Sequence, residues 1–243
     1  MTSWRKAVEN WTFPILRGRL AGKRWLVKTS TSYFLGRYER EQTRAFVETM
    51  REGLVVFDVG ANIGYYTLTA ALAVGTSGGV FAFEPLEQNF RRLERHVQAN
   101  RLHNVTIVKA AVGDRRGVAR LEIRSSPGLA RLSENGTVEV PLVSLDSMIQ
   151  GGELPLPDVI KIDVEGAEML VLKGAVSLFA SAKPLVFLST HGIKEEEECL
   201  RFLSERGYTF ETLKERPSSV RKEFIAKHIG TPSRLHREAG HSM

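Results

Sequence analysis

From residue 54 onward, short apolar runs alternate with stretches of helical spacing. The apolar runs cover residues 54–58, 80–83, 105–108, 159–163 and 185–189. A strand that is buried on both faces has no polar side, so its sequence is an almost uninterrupted apolar run. Because helical stretches separate these runs, we expect each strand to be joined to the next by a helical crossover, which makes the strands parallel. Such crossovers are right-handed. The pattern therefore predicts a doubly wound, Rossmann-like α/β fold with a mostly parallel sheet.

Three segments that follow strands are predicted to be helical, at residues 65–74, 86–100 and 194–206. In the second of them, apolar residues recur every three or four positions, which marks one buried face. Two other segments depart from the alternation of strand and helix. Apolar and polar residues alternate in 118–123, and a further strand-like run covers 138–143. These two segments predict an inserted, half-exposed β-hairpin.

The end of the chain predicts two more strands and a tail. Residues 208–213 and 223–228 are short apolar-rich segments separated by a turn that contains Pro217. They predict an antiparallel pair that closes the sheet. Residues 229–243 have no apolar periodicity, so we expect a loose tail there.

Charge separates the N-terminal segment from the rest of the chain. The 243 residues include 34 Lys or Arg and 28 Asp or Glu, and 34 − 28 gives a net charge of +6. Residues 1–53 hold 11 basic and 5 acidic residues, a net of +6, and the remainder holds 23 of each. The same segment contains all three tryptophans. We predict a basic, tryptophan-containing, helical segment at 1–53 with an amphipathic helix over 39–50, and a catalytic domain at 54–228.

Several classes of protein are excluded by composition. No uncharged apolar run approaches the roughly 20 residues that a membrane-spanning helix needs. The single cysteine, Cys199, excludes an intramolecular disulfide and a multi-cysteine metal site. Because the N-terminus has no apolar signal region, we predict a cytoplasmic protein. The sequence assigns no metal ligands, although carboxylates near Asp163 keep a metal requirement open.

The first candidate site follows the first predicted strand. Asp58, Gly60, Asn62 and Gly64 form an acidic, glycine-containing turn that leads into a helix. This spacing differs from the dinucleotide-binding pattern, which has no acid before its first glycine. A carboxylate there suits a ligand with an ammonium group, such as the methionyl part of S-adenosylmethionine. We predict that these four residues bind that cofactor; the alternative is a tight βα turn without a ligand.

Two further segments complete the predicted cofactor site. Glu84 ends the second strand, 20 residues after Gly64, where an acid binds the hydroxyls of a ribose. After the third strand, Ala111 leaves room for an adenine ring and Asp114 lies within reach of its amine. The alternative for that segment is a β-turn built on Gly113 and Asp114.

Charged residues cluster after the fourth and fifth strands. Lys161, Asp163, Glu165 and Glu168 surround the end of the fourth strand, and His191 follows the fifth. Because carboxyl ends of parallel strands bind ligands, we predict His191 and Asp163 as catalytic residues, with Asp163 also contacting the cofactor. Lys161, Glu165 and His191 are predicted to contact the substrate. The alternatives are a solvated or capping role for Glu168 and a structural role for His191.

Together these motifs resemble the FkbM-type methyltransferases, a branch of the class I S-adenosylmethionine-dependent enzymes. The resemblance covers residues 35–228, and its most specific part is the Lys-Ile-Asp-Val-Glu-Gly-Ala-Glu block at 161–168. It implies a seven-stranded sheet whose last strand is antiparallel. It also implies methyl transfer, usually to a hydroxyl oxygen. One departure is Ser189, where family members often have a glutamate.

By position, the resemblance assigns the methionyl end of the cofactor to Asp58, Gly60 and Gly64, and its ribose to Glu84. It places Asp163 at the reactive centre and His191 beside the substrate. We therefore predict O-methylation of a small metabolite, sugar or glycolipid-type acceptor.

The basic segment favours an anionic acceptor. One alternative is a nucleic-acid-binding methyltransferase or RNA-binding module that uses this segment. A second alternative is a cofactor-binding scaffold without catalysis. The segment is also compatible with a peripheral membrane contact.

Overall fold

The computed structural model describes residues 11–123, 130–214 and 221–229, with the side chain of Lys214 left out. Residues 1–10, which include Trp4, lie outside the described residues, as do the turn at Pro217 and, apart from Ile229, the predicted tail at 229–243. None of the helices in the described part is long and apolar enough to cross a membrane.

The described chain begins with a small β-hairpin, β1 (Thr12–Pro14) and β2 (Arg24–Leu26), followed by α1 (Thr31–Phe34) and α2 (Arg40–Thr49). Within the predicted helical segment at 1–53, the helix predicted over 39–50 is present as α2, but residues 12–26 form a hairpin and the prediction of helix is wrong there. Phe13 pairs with Trp25 across the hairpin. Because these two residues are far apart in the sequence, their contact leaves no periodic pattern by which the hairpin could be recognised.

The remaining elements follow in chain order: β3 (Val55–Val59), α3 (Tyr65–Val74), β4 (Gly79–Phe83), α4 (Glu87–Ala99), β5 (Val105–Val108), β6 (Ala111–Val112), β7 (Gly117–Ile123), β8 (Ala130–Leu132), β9 (Val138–Val143), α5 (Leu145–Gln150), β10 (Val159–Ile162), α6 (Glu168–Lys173), α7 (Val176–Ser181), β11 (Leu185–His191), α8 (Ile193–Ser204), β12 (Tyr208–Lys214) and β13 (Arg221–His228).

Seven of the described strands form the main sheet, in the order β12-β13-β11-β10-β3-β4-β5. The central strands are parallel, and β13 is antiparallel to both of its neighbours. Consecutive residues such as Val56 and Phe57 are fully buried in different apolar clusters, because successive side chains point to opposite faces. The predicted α/β class with a mixed sheet is confirmed.

The insertion is a small sheet rather than a hairpin. β7 and β9 pair antiparallel as predicted, with Leu121 opposite Val138. However, β8 pairs with the other edge of β7, and β6 pairs with β9, so the sheet has the order β6-β9-β7-β8 in the described residues. Three-residue β8 is too short to leave an alternating pattern, which is why the sequence suggested only two strands.

The N-terminal hairpin, β1–β2, packs into the same core as the main sheet. Trp25 is fully buried and its ring stacks on His96 of α4 at 3.7 Å. The Leu26 amide donates to His96 Nε2 at 3.0 Å, and His96 Nδ1 lies 2.7 Å from the carbonyl oxygen of Ile63. Burial lowers the pKa of His96 to about 4, so the ring is neutral and its Nδ1–H donates to Ile63. The hairpin is thereby connected to the turn after β3.

Candidate active site

A cleft of about 990 Å³, measured with its open mouth, lies at the carboxyl ends of β3, β4 and β10. This edge is where α/β sheets bind ligands, and the volume falls in the range of small-molecule sites. The β3–α3 turn, the insertion and the N-terminal segment all contribute to its wall. Among the residues that line it are Tyr33, Tyr38, Gly60, Asn62, Glu84, Asn89, Ala111, Leu121, Leu132, Lys161, Asp163, Glu165 and Arg221.

The turn after β3 packs closely against neighbouring residues at both of its glycines. Gly60 has a φ of +83°, and a Cβ there would lie 1.9 Å from the carbonyl oxygen of Asp163. A Cβ on Gly64 would lie 2.3 Å from the side chain of Leu93. A fixed backbone atom therefore requires glycine at position 60, whereas at position 64 the main reason is the φ of +93°, since the Leu93 methyl group can move. Of the two glycines, Gly60 lines the cleft.

Glu84 is a buried carboxylate whose two oxygens accept backbone hydrogen bonds. The Asn62 amide donates to Oε2 at 2.8 Å, and the Leu86 amide donates to Oε1 at 2.9 Å. Desolvation outweighs these hydrogen bonds and raises the pKa of Glu84 to about 7. Glu84 therefore changes its charge close to neutral pH while lining the cleft.

Asp163 lies between two cations. Arg221 Nη2 is 2.9 Å and Lys161 Nζ 3.4 Å from its Oδ2. Burial opposes ionisation, but Lys161, Arg221 and His191 outweigh it and lower the pKa of Asp163. Burial likewise opposes the charge of Lys161, yet the carboxylates of Asp163 and Asp58 raise its pKa. The cleft wall thus carries a permanent, mutually stabilised set of opposite charges.

Asp58 lies next to this set rather than in the cleft wall. Its carboxylate is fully buried, accepts a hydrogen bond from Thr67 Oγ1 at 2.6 Å and lies 3.8 Å from Lys161 Nζ. Desolvation raises its pKa in spite of Lys161 and Thr67. In this geometry Asp58 positions Lys161.

His191 is held by acids on both ring nitrogens. Its Nδ1 is 2.8 Å from Oε1 of the fully buried Glu168, while its Nε2 lies 3.6 Å from Asp163 and 3.7 Å from Glu165. Burial opposes the charged ring, but Glu168, Asp163 and Glu165 outweigh it and raise the pKa of His191. The ring is therefore a stronger base than an ordinary histidine.

The structure brings most of the predicted residues together. Seven of the predicted residues line the cleft, namely Gly60, Asn62, Glu84, Ala111, Lys161, Asp163 and Glu165. Asp58, Gly64 and Asp114 are not among its lining residues, and the Asp114 carboxylate instead contacts Arg115 at 3.0 Å. His191 reaches the cleft only through its contacts with Asp163 and Glu165.

Sequence reasoning missed Tyr33, Tyr38 and Arg221, which also line the cleft. Arg221 pairs with His191 in the antiparallel register of β13 and β11, so the predicted closing strand was the available signal for it. The two tyrosines lie in and after α1, and no local pattern directs them toward the cleft.

Asp163, Glu165 and His191 also have potential ligand atoms within 4.8 Å of one another. Oxygen and imidazole ligands of this kind can hold a divalent cation. Asp163 already shares its charge with Arg221 and Lys161, however, so we assign no metal to the site.

Comparison with known proteins identifies the family. The model described as the methyltransferase FkbM domain matches residues 58–210. The chain belongs to the FkbM methyltransferase family. Hexuronic acid methyltransferase AglP of Haloferax volcanii is 31% identical to this FkbM methyltransferase over 182 residues, covering 73% of each protein.

Solved structures show the same fold at low sequence identity. The FkbM methyltransferase of Methylobacillus flagellatus has a TM-score of 0.56 and 19% identity, and the match covers 74% of this chain and 47% of that one. This chain thus spans about half the length of that relative. An rRNA methylase of Streptococcus thermophilus has a TM-score of 0.52 and 8% identity, with 79% and 96% covered. Both comparisons concern the fold alone.

The residues of this FkbM methyltransferase fit S-adenosylmethionine. Glu84 presents a carboxylate to the cleft at the end of β4, and the small side chain of Ala111 lines the same cleft. Family membership confirms that the protein is an S-adenosylmethionine-dependent methyltransferase and therefore an enzyme. The contacts of individual residues with the cofactor stay predictions.

We expect binding of S-adenosylhomocysteine to weaken as the pH falls. Ribose hydroxyls need an ionised Glu84 as acceptor, and with a pKa of about 7 this group is largely protonated at pH 6. Calorimetric titration should give about tenfold weaker binding at pH 6 than at pH 8. Glu84→Gln should bind weakly at both pH values.

Glu87→Gln is the control, because Glu87 is exposed and pairs with Arg91 and Lys109. Wild-type affinity that does not change with pH would contradict the role of Glu84.

Proposed function

We propose that the protein transfers a methyl group from S-adenosylmethionine to a hydroxyl oxygen of a sugar-type acceptor of the hexuronic acid class. The observation that carries this proposal is the charged wall of the cleft, where Lys161, Asp163, Glu165 and Arg221 lie beyond Glu84. Fixed charges of both signs suit an acceptor with several hydroxyls and one carboxylate. The AglP relative, named for its hexuronic acid substrate, supports the same class.

Arg221 is the candidate partner for the acceptor's carboxylate. Its guanidinium contacts Asp163 at 2.9 Å and Glu39 at 3.5 Å, and its side chain remains about one-third exposed. These contacts raise its pKa despite burial, so it stays charged. A guanidinium that is fixed by carboxylates and open to the cleft is suited to planar, bidentate recognition of a further carboxylate.

The residues of the chain divide the remaining tasks. Glu84, Asn62 and Ala111 form the side of the cleft that suits the nucleoside, and Gly60 keeps the turn close to β10. When bound, S-adenosylmethionine supplies an activated methyl group on its sulfonium. Asp163 stays ionised and can accept a hydrogen bond from the acceptor's hydroxyl, which orients that oxygen.

His191 is the proposed proton acceptor. With Nδ1 directed at Glu168, its neutral form presents the Nε2 lone pair between Asp163 and Glu165. These two carboxylates stabilise the imidazolium that forms when Nε2 takes up a proton. Asp163 lines the cleft and lies 3.6 Å from Nε2, so its carboxylate would take the proton from the acceptor's hydroxyl, pass it to the ring and return to its ionised form.

A matched pair of acceptors tests the proposal. p-Nitrophenyl β-glucuronide and p-nitrophenyl β-glucoside differ only at C6, which is a carboxylate in the first and a hydroxymethyl group in the second, and we expect kcat/KM to be at least about tenfold higher for the glucuronide. The product should be a methyl ether that survives mild alkali. An alkali-labile methyl ester would overturn the hydroxyl assignment. Methylation of RNA with neither sugar methylated would overturn the acceptor class.

A further inference from the structure

The N-terminal cap, which we define as residues 11–38, carries an unusual concentration of positive charge. It contains six Lys or Arg residues and no Asp or Glu. Its net charge of +6 equals that of the whole chain. The methyl-transfer chemistry uses none of these six cations.

The cap also exposes large apolar side chains. Trp11, Phe13 and Leu16 are 64%, 56% and 61% exposed, and Val27 and Leu35 are also exposed. The Val27 amide donates to the Trp11 carbonyl oxygen at 3.0 Å, so these two exposed residues lie opposite each other at the open end of the hairpin that carries Phe13. The Leu16 amide donates to the carbonyl of the residue before Leu35, which brings the two leucines together.

Three arginines lie among these apolar side chains. The loops that carry Arg17 and Arg19 on one side and Arg37 on the other are in contact, since a Cβ on Gly18 would lie 2.8 Å from Gly36 Cα. All three arginines are exposed. The described residues provide no ion-pair partner for any of them. The surface therefore combines solvent-facing cations with exposed apolar groups.

We propose that the N-terminal cap docks on the surface of an anionic lipid bilayer. Tryptophan, phenylalanine and leucine insert at the boundary between headgroups and acyl chains, and arginines bind anionic headgroups. Nucleic acid would use the cations and the aromatic rings but offers nothing to exposed leucine and valine side chains. A bilayer therefore accounts for both the exposed cations and the exposed apolar side chains of the cap.

Docking would bring the cleft close to the membrane. Tyr33 belongs to the cap and lines the cleft, and Tyr38 at the end of the cap lines it as well. An acceptor held on a lipid would then be delivered beside the catalytic residues. Docking itself does not depend on the identity of the acceptor, so this proposal and the proposed function can fail separately.

Vesicle co-sedimentation of the full-length protein tests the proposal. Vesicles of phosphatidylcholine with 40% phosphatidylglycerol should bind the protein at low salt, and vesicles of pure phosphatidylcholine should bind it at least about tenfold more weakly. A triple variant with Arg17→Gln, Arg19→Gln and Arg37→Gln should lower the partition coefficient by about 100-fold, because each surface cation contributes roughly fivefold. A second variant with Trp11→Ser, Phe13→Ser and Leu16→Ser should lose at least about tenfold.

The matched control is Val118→Ser with Ile193→Ser, which removes two exposed apolar side chains elsewhere and should leave partitioning unchanged. S-adenosylhomocysteine affinity should be the same in all variants, which verifies their folding. Absence of wild-type binding to anionic vesicles overturns the proposal. Equal losses in the control and in the apolar cap variant also overturn it. Binding to single-stranded RNA but not to vesicles would assign the surface to nucleic acid instead.

Discussion

Replacing His191 with glutamine should lower kcat by about 100-fold or more while leaving S-adenosylhomocysteine affinity within a fewfold of wild type. The base contributes typically 10²–10⁴-fold to such a step. His191 is not among the residues that line the cleft, so its loss should spare cofactor binding. Glutamine keeps a polar side chain in contact with Glu168. Single-turnover methyl transfer and calorimetry separate the two effects.

The pH profile supplies the second readout for this variant. Four acids face the ring, Glu168, Asp163, Glu165 and the more distant Glu195, and the first three raise the pKa of His191 despite burial. A raised pKa keeps the ring protonated to higher pH, so wild-type kcat should increase as the pH rises through a value above 6.5. His191→Gln should lack this limb.

Two measurements would contradict the role of His191. One is an unchanged kcat in His191→Gln, and the other is an unchanged acid limb in that variant. Glu139→Gln, on the exposed insertion, is the control for removal of a carboxylate. Asp163→Asn should also lower kcat strongly, because it removes the group that connects the cleft with His191.

Replacing Gly60 with alanine should destabilise the protein and abolish cofactor binding, although Gly60 offers no side chain to a ligand. The new Cβ would lie 1.9 Å from the Asp163 carbonyl oxygen, and a backbone atom cannot rotate away. Strain at a φ of +83° adds to the collision. We expect a loss of about 2–6 kcal/mol in the free energy of unfolding, from strain and overpacking together.

Gly152→Ala is the matched control for the collision. Gly152 has a φ of +73°, and a Cβ there would meet nothing within 4 Å. It should cost only the conformational strain, about 1–3 kcal/mol. Urea unfolding of both variants measures the difference. Equal losses would show that the Asp163 carbonyl moves aside and that close packing is not the reason for glycine at position 60.

The sheet was predictable because burial on both faces removes polar residues from each central strand. Val159–Ile162 illustrates the exception, since Lys161 interrupts an apolar strand and is nevertheless buried. Its position became interpretable only through Asp58 and Asp163 on either side. Charged residues at strand ends were likewise visible in the sequence, since parallel strands bring their carboxyl ends to one edge.

What could not be predicted depends on contacts between distant segments. β1 and β2 are three residues each, and Trp25 is buried by His96, 71 positions later. Periodicity reports only local neighbours, so this hairpin was expected to be helical. Asp58 shows a different limit, because the sequence could not reveal that its carboxylate contacts Thr67 and Lys161; its role in cofactor binding stays a prediction.

The stack of Trp25 on His96 matters for anyone who shortens or recombines these proteins. The family model matches from residue 58, inside β3, and a protein shortened to the start of β3 would lose the indole that covers α4 and would leave the His96 ring beside water. Exchanging the first fifty residues between relatives should succeed only when the residues at positions 25 and 96 come from the same parent. Within the family, we expect these two positions to covary.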